Sequence, residues 1–62
     1  METIIQLITV TPYEELARLP FLYDKPTNAE LYINGKKCIL NDIRDKIDET
    51  GKITRLFRVF YV

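Results

Sequence analysis

Three aspartates, Asp42, Asp45 and Asp48, recur at every third position of the segment NDIRDKIDET. On a helix this spacing would line the carboxylates along one side, where they could gather a divalent cation. On a strand each would instead meet a cross-strand neighbour. The spacing does not match a calcium-binding loop, and no metal site is assigned. The chain has no histidine, which removes the commonest general base and the commonest metal ligand. Its single cysteine, Cys38, therefore has no imidazole to activate it and reads as a small buried core residue. Gly35-Lys36-Lys37 lacks the upstream glycine and the following hydroxyl residue of a phosphate loop. No catalytic residue, cofactor or small-molecule substrate is indicated, and the expectation is a protein that is not an enzyme.

One further group of residues has chemical content. Lys36, Lys37, Arg44, Arg55 and Arg58, interleaved with Tyr32, Phe57 and Tyr61, have the types of a stacking surface for single-stranded nucleic acid. Against that, the formal net charge is zero. The charge is polarised: residues 1–35 hold two basic and five acidic groups, residues 36–62 seven basic and four acidic. Nucleic acid is therefore the weaker of two readings for a partner.

The elements that must position these residues begin with Thr3–Val10 (TIIQLITV), a β-branched run that reads as a strand. Thr11-Pro12-Tyr13-Glu14 has the order of a helix cap, with proline at the first helical position and Glu14 closing a capping box. Tyr13, Leu16 and Ala17 then make an apolar stripe, and Pro20 ends a helix of about two turns. Residues 20–29 form a loop whose Phe21, Leu22 and Tyr23 plug an edge of the core. Asn34-Gly35, flanked by ELYI and KKCIL, predicts a hairpin with a two-residue type I′ turn.

Residues 41–50 suit either helix or strand. Closing a second hairpin through Glu49-Thr50-Gly51, with Gly51 left-handed, decides for the strand. It sets Asp48 against Lys52, Asp45 against Arg55 and Asp42 against Arg58. The same register sets Ile47 on Ile53, Ile43 on Phe57, Leu40 on Phe60 and Ile39 on Tyr61. Three opposite-charge pairs and four apolar pairs support one another, and a bulge near Leu40–Asp42 is compatible with them. The expected fold is a single α+β domain over residues 1–62. Its sheet has four antiparallel strands, one N-terminal and three in a C-terminal meander, with one short helix packed on it.

That architecture leaves apolar surface over. The run Leu56-Phe57-Arg58-Val59-Phe60-Tyr61-Val62 is apolar on both strand faces, and 62 residues offer little material to cover the second. The face bearing Tyr32, Ile39, Ile43, Phe57, Val59 and Tyr61 is thus expected to bind a partner, either another protein or a second copy in a homodimer. No apolar run is long enough for a membrane helix, no basic leader precedes one, and the lone cysteine suits a reducing compartment, so a cytoplasmic location is expected. In size, turn chemistry and lack of catalytic residues the chain resembles small accessory proteins of phages and mobile elements. The resemblance rests on no specific motif and implies only a binding or regulatory role.

Overall fold

A computed structural model describes all 62 residues as five strands and no helix. The strands are β1 (Glu2–Leu7), β2 (Glu14–Pro20), β3 (Glu30–Ile33), β4 (Lys36–Ile47) and β5 (Ile53–Tyr61). They form one sheet in the order β2-β1-β5-β4-β3. β1 runs parallel to β5, and every other neighbouring pair is antiparallel. The expected α+β fold, with its helix and four-stranded antiparallel sheet, is therefore replaced by an all-β fold with a five-stranded mixed sheet.

The segment expected to be helical is β2. A helix of two turns is short of the length at which helix formation becomes cooperative. As a strand, the same residues satisfy their backbone groups against β1 from Glu2↔Pro20 to Leu7↔Glu14. A register shift opposite Ile5/Gln6 lets both Leu16 and Ala17 pack on the core, followed by Leu19. That bulge reproduces the apolar spacing that otherwise imitates a helix stripe. Pro20 closes the strand at the sheet edge, where a missing N–H is tolerated.

Both hairpins form as the turn chemistry requires. Asn34 and Gly35 have φ of 53° and 80°, the paired positive values of a type I′ turn. Gly51, at φ 86°, donates its N–H to the Asp48 carbonyl, and the Asp48 N–H bonds the Lys52 carbonyl. The carboxylate oxygen Oδ1 of Asp48 accepts three further bonds, from Thr50 N, Thr50 Oγ1 and Lys52 N.

Between β4 and β5 the ion-pair register stands as expected from Asp42↔Arg58 through Asp45↔Arg55 to Ile47↔Ile53. Above it the register shifts at Leu40/Asp42, so that Leu40 faces Val59 and Ile39 faces Phe60. The expected pairs Leu40–Phe60 and Ile39–Tyr61 are thereby displaced by one residue. A one-residue shift exchanges the two faces of a strand. Leu40 and Cys38 consequently join Phe57 and Val59 on one side, and Ile39 joins Phe60 on the other.

The sheet curls into a half-barrel around the first of these sides. Ile5, Cys38, Leu40, Phe57 and Val59, from β1, β4 and β5, are fully buried there, and apolar residues of β2, β3 and β4 pack on them. Asn34 Nδ2 donates to the Leu16 carbonyl at 3.3 Å, linking the β3–β4 turn to β2 at the opposite end of the strand order. Leu22 and Ala29 from the connecting segment 21–29 cover the open side. Thr3 is the only buried polar residue, and its Oγ1 accepts the Leu22 N–H at 2.9 Å. β5 is thus a central strand, flanked by β1 and β4, with Phe57 and Val59 buried on its inner face and Leu56 on its outer one.

Candidate functional site

The aspartates that opened the question of chemistry are separated by the fold. Asp42 lies on the outer, convex face, where Oδ2 accepts from Arg58 at 2.9 Å and lies 3.6 Å from Arg44 Nε. Asp45 accepts twice from Arg55, at 2.8 and 2.9 Å, on the inner side. Asp48 is consumed by its own turn. No three acidic or cysteine side chains gather in a metal-binding group. Strand alternation and the bulge are the physical reason, because successive third positions change face.

Arg55 is the most connected charge in the molecule, with only 13% of its side chain exposed. Besides Asp45 it donates to Asp24 Oδ1 and to the Leu22 carbonyl at 3.3 Å, and its guanidinium stacks 4.5 Å from the Phe21 ring centroid. Phe21 in turn meets Tyr23 edge-on. This network pins the segment 21–24 to the sheet. The hydrogen bonds from Arg55 hold the Asp45 carboxyl below the ordinary carboxylate range. The Thr50 hydroxyl, followed by the Lys52 amide, does the same for Asp48.

Both shifts have the same sign. In acid the unfolded chain binds protons that the folded one refuses, so stability contributed by these groups above the carboxylate range is lost as pH falls through it. The melting temperature of the wild type is therefore expected to fall on acidification below about pH 4. Asp48→Asn should start lower at neutral pH and show a flatter acid limb, read by circular dichroism melts across pH. Parallel acid limbs for the two proteins would overturn this assignment.

A depression of about 460 Å³ opens between the segment 24–27 and the free side of β4. Its walls include Asp24, Lys25, Leu40, Ile43 and Arg55. A smaller one of about 260 Å³ lies on the outer face among Gln6, Tyr13, Arg44, Leu56 and Arg58. There the Arg58 guanidinium sits 5.6 Å from the Tyr13 ring centroid, and its side chain is only 11% exposed.

The positive groups singled out from the sequence are largely neutralised. Lys37 pairs with Glu30, Arg44 and Arg58 with Asp42, and Arg55 with Asp24 and Asp45, so that of those five only Lys36 has no carboxylate partner. Lys36 lies 5.2 Å from the Tyr61 ring centroid instead. Phe57, the aromatic meant to stack on bases, is fully buried. The arrangement offers little free positive charge beside an open ring, which is what an oligonucleotide surface requires. Cys38 is buried as expected, and burial raises its thiol pKa, the opposite of an activated nucleophile.

The six residues expected to meet a partner are divided between the two faces. Phe57 and Val59 are in the chain's own core, and Ile43 packs against it. Tyr61 is partly exposed at the end of the inner side. Tyr32, 71% exposed, and Ile39, half-buried, lie on the outer face. Sequence parity grouped these residues on one face because it carried no bulge at Leu40–Asp42. The outer face has other apolar members that parity had placed elsewhere. The register aligns Ile39 with Phe60, and Ile8 follows β1 beside Phe60, its N–H bonded to the Val59 carbonyl. Ile4 and Leu56 pair lower on the same face, where Leu56 is buried near Tyr13, Arg44 and Arg58. No helix or second sheet covers the row Ile8–Phe60–Ile39 above it.

No protein-family model, curated protein or solved structure matches this chain. No helix is long and apolar enough to cross a membrane.

Proposed function

We infer that this chain is a non-enzymatic interaction module that associates through its uncovered sheet, as a homodimer in the simplest case. The observation that carries the reading is the single-layer architecture. The half-barrel fills its inner side with its own residues and leaves the half-buried row Ile8–Phe60–Ile39, with the exposed Tyr32 beside it, on an outer face that no helix or second sheet covers. Only eight of 62 residues are buried in the isolated chain, so further burial of apolar surface has much to contribute. The ion pairs Lys37–Glu30 and Arg58–Asp42 flank the row and keep its borders electrically neutral, which favours a protein partner over a charged polymer.

Light scattering on the purified chain at high micromolar concentration should give twice the monomer mass. The apparent mass should fall on dilution with a single dissociation constant. A mass that stays monomeric throughout would overturn the reading.

A further inference from the structure

β4 is twelve residues long, whereas β3 has four. β3 pairs only with Lys36–Ile39, and Leu40 completes the contact through two bonds with Asn28 and Ala29. Residues 41–47 of β4 therefore have a neighbour, β5, on one side and none on the other. The backbone of Asp48 points to β5, because its N–H bonds Lys52. By the alternation of an antiparallel ladder, Asp42, Arg44 and Lys46 also point to β5, while the N–H and C=O of Ile43, Asp45 and Ile47 point outward. An open seven-residue edge in a small protein is a template for another strand. Natural edges are often protected by proline, a bulge or inward-pointing charge; here the bulge stands at the start of the open stretch, and its one inward-pointing charge, Asp45, is neutralised by Arg55.

We propose that a second copy of this chain pairs with this edge, β4 against β4 and antiparallel, about a two-fold axis at Arg44, joining two sheets into one of ten strands. The proposal rests on the self-association inferred above but places it at the edge of β4 rather than on the outer-face row. A closed two-fold dimer requires the same patch on both copies, which an antiparallel strand edge provides. The register follows from length and charge. Centring the axis on Ile43 drives the partner's strand into β3. Centring it on Asp45 sets Asp45 on Asp45, Arg44 on Lys46 and Asp42 on Asp48, all of like sign. Centring it on Arg44 uses the whole open window and sets Asp42 against the partner's Lys46 twice over.

Lys46 has no carboxylate partner within the chain, and Asp42, although it already pairs with Arg58 and Arg44, keeps 36% of its side chain exposed. The same register brings the partner's Ile47, 69% exposed in the monomer, to the mouth of the larger depression, where Leu40 and Ile43 are apolar. Its one unfavourable contact is Arg44 on Arg44, and that contact makes the register testable.

Sedimentation equilibrium on the wild type and four variants decides the matter. Lys46→Asp should weaken the dimer by tenfold or more. Ile47→Pro removes an outward N–H that the monomer does not use and should yield a monomer with an unchanged circular dichroism spectrum. Arg44→Thr relieves the like-charge contact and should tighten the dimer several-fold. A wild-type dimer indifferent to Lys46→Asp and Ile47→Pro, but dissociated by Tyr32→Asp, overturns the edge pairing and leaves the outer-face association standing. A strictly monomeric wild type overturns both.

Discussion

Phe57→Ala is expected to leave the protein largely unfolded at 25 °C, with a flat thermal melt and loss of chemical-shift dispersion. Phe57 is fully buried, the largest such side chain in the protein, and sits where β5 is flanked by Ile5 of β1 and Ile43 of β4. Truncating a core phenylalanine to alanine costs about 3–5 kcal/mol, because transfer energy is lost and a cavity remains. A domain of this length has a total stability of roughly 3–9 kcal/mol, on the usual scale per residue. The lesion is therefore comparable to the whole. Phe57→Leu keeps most of the volume and should fold with a lowered midpoint. A cooperative melt for Phe57→Ala near the wild-type midpoint would refute the placement of this ring at the centre of the core. The same burial means that a polar residue at this position would unfold the chain and could not report on partner binding.

Thr3→Val should destabilise the fold by about 1–3 kcal/mol although it conserves shape and adds no charge. Thr3 is fully buried beneath the segment that follows β2, and its Oγ1 accepts the Leu22 N–H. Valine fills the space but leaves that amide without an acceptor in a poorly hydrated position. The loss should be local as well as global. Leu22 carries the carbonyl that Arg55 reaches, and the neighbouring Asp24 and Phe21 are held by the same guanidinium. Amide hydrogen exchange at residues 21–24 should therefore accelerate more than exchange in the β4–β5 ladder. Thr3→Ser retains the acceptor and should restore much of the protection. If Thr3→Val leaves both the chemical denaturation midpoint and the exchange at Leu22 unchanged, the hydrogen bond does not hold this segment.

The two effects differ in how far they could be foreseen. Phe57 was legible as an apolar strand residue opposite Ile43, and that pair stands. Its burial was not legible, because the assignment of faces depends on a bulge that adds one residue between Leu40 and Asp42. The sequence admits a bulge near Leu40–Asp42, but neither composition nor alternation requires it. The role of Thr3 could not be found at all: its partner lies nineteen residues away in a loop with no pattern of its own.

Local chemistry written in the sequence determined the two hairpins and the ion-pair ladder. Asn34-Gly35 and Gly51 adopt the positive φ that their turns require, and Asp42 and Asp45 have their basic partners within one hairpin, whereas Asp48 bonds its own turn and Lys52 turns to Glu2. Such pairs are close along the chain, so propensity and charge suffice to set them. The tertiary structure alone decided three further points. It made residues 14–20 a strand, because β1 supplied a ladder that an isolated two-turn helix cannot match. It brought β1 alongside β5 in parallel, a pairing between residues about fifty positions apart that no local signal encodes. By curling the sheet it chose which face to fill, and so left the outer row and the long edge of β4 open. Long-range pairing is fixed by the sum of many weak contacts, and a single residue of register shift redistributes all of them between inside and outside.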